Sequence, residues 1–221
     1  MKPTRPQSFG FLAAACTGAA AALLGWIGAS PPTAHAGADQ AVGNELRAPE
    51  AFARIKDREE RAQALFLEAS RVLLHPRCRN CHPDGDSPAQ GDDGRLHDPP
   101  VARGADDRGV PGLACSSCHQ DHNLELARVP GAPQWHLAPR TMAWVGRTPR
   151  AICEQLKDPA RNGNRSLAQI VDHVAHDQLV AWGWSPGPSR SKAPGTQERF
   201  GALMAAWVQD GAACPREGGG R

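Results

Sequence analysis

Two short stretches constrain this chain more than anything else in it: Cys78-Arg-Asn-Cys81-His82 and Cys115-Ser-Ser-Cys118-His119. Each has two cysteines separated by two residues, with a histidine directly after the second. That is the attachment pattern of a c-type haem, in which the two thiols form thioethers to the vinyl groups of one porphyrin. The adjacent histidine then supplies the proximal nitrogen to iron. A repeated Cys-x-x-Cys also suits a zinc ribbon, but zinc makes no demand for histidine at those positions. Histidine is 9 of 221 residues, so chance would place it after both second cysteines about once in 600 such chains. A thioredoxin-like site would need a strand–helix setting with apolar flanks, which neither motif has. The sequence therefore predicts two covalently bound haem c groups. Cys78, Cys81, Cys115 and Cys118 are the attachment points, with His82 and His119 as proximal iron ligands.

Residues 1–36 read as a secretory signal peptide. Lys2 and Arg5 form a positive start, Phe9 to Ile27 is an apolar run, and Ala34-His-Ala36 offers small residues for cleavage. An uncleaved anchor is the competing reading, because the run nearly reaches bilayer length. Either way, the expected location is the periplasm. Removing Lys2 and Arg5 from 25 basic residues leaves a chain balanced against its 23 acidic ones. That balance argues against a nucleic-acid partner, and no later segment is apolar enough to predict a membrane span. Beyond the signal, residues 37–56 are expected to be a flexible arm, 57–215 the dihaem domain, and 216–221 a frayed tail.

The expected fold class is mainly α with long irregular loops, a cytochrome c-like dihaem domain wrapped around its two haems. Asp57 caps a helix whose apolar stripe runs from Ala62 to Leu73 and which should stop at His75, before Pro76. The segment 83–112 is rich in Gly, Asp and Pro; between two haems it is expected to be ordered but irregular. Leu124, Leu126 and Val129 suggest a short helical continuation. Thr148-Pro149 starts a helix carrying Cys153. Ser166-x-x-Gln169 is a capping box for another, with Leu167, Ile170, Val171 and Val174 on its buried face. Thr196 caps the last, whose stripe is Phe200, Leu203, Met204, Trp207 and Val208. Cys153 and Cys214 are the only cysteines left beyond the signal and the haem motifs. In an oxidising compartment they are expected to pair, with two buried thiols as the alternative.

The distal ligands are less constrained. His136, flanked by Trp135 and Leu137 and braced by prolines, is the leading candidate, and His97, alone in the loop between the motifs, is next. His173, at the margin of a buried helix face, and Met142 follow. At these residues the chain resembles a small dihaem cytochrome family. The resemblance is carried by Cys81-His-Pro-Asp-Gly-Asp86, Gln90-Gly-Asp-Asp93, Pro130-Gly-Ala-Pro133, Trp135-His-Leu-Ala-Pro139, Met142-Ala-Trp144 and Trp182-Gly-Trp184. That family is labelled as a subunit associated with isoquinoline 1-oxidoreductase, a molybdopterin hydroxylase. The resemblance implies an electron-transfer protein, not itself an enzyme. Its partners would be a molybdopterin-containing dehydrogenase as donor and a downstream cytochrome or oxidase as acceptor. The competing classes are a peroxidase-like dihaem enzyme and a haem-based ligand-binding protein, either of which needs one open iron.

Overall fold

Where the apolar stripes meet decides the architecture. The computed structural model describes residues 43–217; the signal segment 1–36, the start of the arm and residues 218–221 lie outside them. Six α-helices are described: α1 (Arg58–Leu73), α2 (Pro76–Arg79), α3 (Pro149–Lys157), α4 (Leu167–His176), α5 (Gln178–Ala181) and α6 (Gln197–Gln209). The chain is mainly helical, with few strands and irregular loops. The helix α6 packs against both α1 and α4 and forms the centre of the core. Phe66 and Trp207 meet there at 4.9 Å between ring centres, and Leu65, Phe200, Leu203 and Met204 are buried around them. Each such side chain contributes about 1.5–3 kcal/mol on burial.

The helix boundaries follow from side-chain caps. Asp57 accepts from the Glu60 amide, Thr148 from Ala151, and Thr196 from Arg199. Ser166 and Gln169 form the reciprocal capping box. A cap of this kind contributes about 1 kcal/mol. Pro76 does not simply break the chain. Helix α1 ends at Leu73, His75 caps a new turn by accepting from the Arg77 amide, and Pro76 starts α2, which carries Cys78. Proline suits a first helical position because its missing N–H has no helical partner to lose.

The disulfide Cys153–Cys214 is present and ties α3 to the segment after α6. Gly211 has a positive φ as α6 ends, which returns the chain towards α3. The arm expected over 37–56 is not loose from residue 43 onwards. Phe52 and Leu46 are buried in the core, and Arg47 pairs with the buried carboxylate of Glu68 at 2.8 Å. Apolar anchors at positions without helical periodicity explain why the pattern did not show.

The segment between the motifs is irregular but carries two small hairpins, β1–β2 (Ala89–Gln90 with Arg95–Leu96) and β3–β4 (Gly109–Val110 with Leu113–Ala114). Pro111-Gly112, with Gly112 at φ +82°, makes the turn of the second. The helical continuation expected near Leu124 is a 3-10 turn, Glu125–Ala127, closed by a bridge between Leu124 and Val129. No helix among the described residues is long and apolar enough to cross a membrane.

Candidate functional site

The two Cys-x-x-Cys-His motifs sit in matching surroundings built from different parts of the chain. Each histidine has its Nδ1 tied to a backbone carbonyl: His82 to Met142 and His119 to Pro130, both at 2.7 Å. Because a carbonyl only accepts, Nδ1 carries the proton in each ring and Nε2 presents its lone pair. Each ring also has a tryptophan stacked against it. Trp144 lies on His82 with ring centres 3.4 Å apart and planes at 8°. Trp135 lies on His119 at 4.5 Å and 10°. A carbonyl that fixes the tautomer and a ring that fixes the tilt are what an imidazole needs to be held as a metal ligand.

Local sequence explains the arrangement. The Trp144 amide donates to the His82 carbonyl at 2.9 Å, and the Ala138 amide to the Cys81 carbonyl at 3.0 Å, so the stretch 137–144 runs along the first motif. Gly131, directly after Pro130, approaches the second motif's loop so closely that a Cβ there would collide with the carbonyls of Gln120 and His122. Its amide is held by Asn123 Oδ1 at 3.0 Å, which also accepts from Trp182 Nε1 at 2.9 Å.

Electrostatics keeps these groups neutral. Burial pushes His82 down to about 3, against the opposing Met142 hydrogen bond, with the charges of His173 and Arg103 adding to the fall. Burial also lowers His119, with His97 and Arg190 adding to it and the Pro130 hydrogen bond opposing. Burial pushes the Cys78 thiol up to about 12 and Cys81 up to about 11, with Cys115 among the groups that raise Cys81. Thiols held that high stay protonated until a bound group or a reaction removes the proton. Among the described residues no group of three or more His, Cys, Asp or Glu stands close enough together to hold a metal ion.

The candidate distal ligands are placed as follows. His97 lies with its ring centre 5.9 Å from that of His119, and its Nδ1 is bonded to the Pro99 carbonyl at 2.8 Å. His173 is close enough to affect the charge of His82, and its Nδ1 meets Asp177 Oδ2 at 3.2 Å. Asp177 is itself fixed, since its Oδ1 caps α5 by accepting from Leu179 and Val180. His136 is half-buried, and its Nδ1 is bonded to the Gln134 carbonyl, so its imidazole is not starved of polar company as its flanks suggest. Met142 has its side chain in the apolar core, while its carbonyl holds His82. A residue whose backbone carbonyl holds the His82 ring would be badly placed to bind, from the far side, a metal held by that ring. His75 has both nitrogens in hydrogen bonds, to the Arg77 amide and to Ser191 Oγ. His176 is exposed beside Asp172.

Two elements of the site had no clear sequence signal. Arg103 is 6% exposed and ties Gly85, Asp107 and Ala138 together under the first motif, yet it stands in a Gly/Asp-rich loop with no pattern to mark it. The stacking tryptophans had a weak one: two of the six tryptophans fall within 135–144 in a chain without tyrosine.

The donor set fits haem. Four thiols stand in two pairs, and each pair has a neutral, oriented imidazole beside it. Three buried donors near the first motif, Arg77 Nε, Arg79 Nε and Trp144 Nε1, have no partner among the described residues. Buried donors of this kind call for an acceptor from a bound group or from water. No family of known proteins, no curated protein and no solved structure matches the chain, so its assignment rests on the residues themselves.

Proposed function

We propose that this chain is a periplasmic dihaem c-type cytochrome that carries electrons. The observation that carries the reading is the duplication at His82 and His119: a cysteine pair, a histidine with Nδ1 on a carbonyl, and a tryptophan stacked on its ring. One such arrangement could serve packing. Two, assembled from unrelated segments around two identical motifs, point to one shared ligand chemistry. When bound, each haem supplies an iron that gains and loses one electron. The protein's part is to hold Nε2 of His82 and His119 towards the metal and to keep both rings neutral.

Exposure of apolar side chains adds support. Leu96, Leu113, Leu124 and Leu126 are among the exposed large apolar residues, and all lie in the stretch carrying the second motif. A porphyrin there would give that stretch an apolar surface to fold against, which suits a segment with so few core residues of its own. The resemblance to the hydroxylase-associated cytochromes supports a molybdopterin-containing dehydrogenase as donor, with a downstream cytochrome or oxidase as acceptor.

Mass spectrometry of the denatured protein tests the assignment. The expected mass is that of the processed chain plus two haems, retained through acid–organic extraction. A Cys115→Ala/Cys118→Ala variant should keep one. A variant that still held two covalent haems would overturn the reading of the second motif.

A further inference from the structure

We propose that His97 is the second axial ligand of the iron held by His119; this rests on the dihaem reading above. The separation of the two rings is the main argument. A metal–imidazole bond is about 2 Å and the ring centre lies about 1 Å behind the nitrogen, so two imidazoles sharing one ion have centres about 6 Å apart. His97 and His119 stand 5.9 Å apart. Their planes cross at 69°, which coordination tolerates because each ring can turn about its own metal–nitrogen axis.

Both rings are also committed in the same way. His119 Nδ1 donates to the Pro130 carbonyl and His97 Nδ1 to the Pro99 carbonyl, at 2.7 and 2.8 Å. Each therefore carries its ring proton on Nδ1 and leaves Nε2 an electron-pair donor. The local fold delivers His97 to that position. Its amide donates to the Pro88 carbonyl at 3.1 Å, immediately after the β1–β2 pairing, and the Ala89 amide is held by the Asn80 carbonyl at 3.1 Å. The hairpin is thus anchored on the first motif and places a histidine beside the second. His122, three residues after His119, is exposed.

Two imidazoles close the iron to outside ligands and lower its potential relative to a methionine-ligated haem. That suits a relay and not a peroxidase.

The experiment compares the oxidised and reduced holoprotein with a His97→Ala variant, after confirming two covalent haems in each. In the variant one of the two irons should become high-spin and bind carbon monoxide when reduced, and added free imidazole should return it to low-spin. Paramagnetic NMR of the axial histidines should assign the opened iron to His119. His122→Ala should leave both irons low-spin. If His97→Ala does not accumulate, His97→Met should show the near-infrared band of a methionine-ligated iron. Two low-spin irons in His97→Ala without added imidazole, an opening at His82, or a His97→Met protein lacking that band would each overturn the ligand. A wild type without two covalent haems would instead refute the dihaem reading on which it rests.

Discussion

Replacing Arg103 by methionine tests how the loop under the first motif is held. The guanidinium is almost fully buried. Its Nε and Nη2 donate to the Gly85 carbonyl at 3.2 and 3.0 Å, and Nη1 donates to the Ala138 carbonyl at 2.8 Å. Nη1 also donates to the carboxylate of Asp107. Methionine fills the volume of the stem but supplies none of these donors. The variant leaves two carbonyls and one partly buried carboxylate without their partner. Removing one member of a fully buried ion pair costs about 3–5 kcal/mol. Asp107 is 26% exposed, so its share falls below that range. The two stranded carbonyls of Gly85 and Ala138, at about 1–3 kcal/mol each, bring the total back to about 4 kcal/mol. With a urea dependence of about 2 kcal/mol/M for a domain of this size, the midpoint should fall by about 2 M. Unfolding followed by tryptophan fluorescence reads that shift. Adding Asp107→Asn should recover part of the loss, because the stranded charge is gone. A midpoint change below about 0.5 M, or no recovery in the double variant, would refute the view that this arginine holds the loop.

Two further outcomes are expected. Replacing both Cys153 and Cys214 by serine opens a loop spanning 61 positions and should lower stability by about 4 kcal/mol in a chemical denaturation series; a loss below about 1 kcal/mol would refute the loop-closure argument. Glu68 is subject to a desolvation penalty that raises its pKa, but hydrogen bonds from Arg47 and Arg71 outweigh it and hold the carboxyl below its usual range. Its contribution to stability is therefore full above the unfolded carboxyl value of about 4.3 and is lost as pH falls through the lower folded value. Glu68→Gln should flatten the acid limb of the stability curve, and an unchanged limb would count against the pairing.

Helices were legible in the sequence wherever a cap preceded a stripe. Asp57, Thr148, Ser166 and Thr196 each start a helix as their side chains dictate. The two motif histidines were legible as candidate ligands from their spacing alone, and the structure holds both rings through the same kind of contact. Other parts of the site depend on contacts that no local pattern encodes. The carbonyls of Met142 and Pro130 hold His82 and His119 through backbone atoms, which every residue possesses. Leu46 and Phe52 looked like parts of an arm because two isolated apolar residues have no period. His136 appeared buried from its neighbours, yet the turn at Gln134, with φ +60°, supplies a carbonyl to its ring. The disulfide was readable by counting, since only two cysteines remained.

The position of α6 in the chain governs when the protein can fold. Trp207 and Phe200 come from the last helix, and their partners on α1, Phe66 among them, come from the first. As the chain emerges from its N-terminus, α1 has only the short turn carrying Phe52 and the preceding Leu46 to pack with, and both cysteine motifs follow it before α6 exists. A core that joins the first helix to the last closes late, because contacts of long sequence separation must wait for both partners. Cys78, Cys81, Cys115 and Cys118 therefore belong to open chain before the core can close. Once the core has closed, Cys78 packs against it half-buried, and burial leaves the Cys78 and Cys81 thiols hard to ionise.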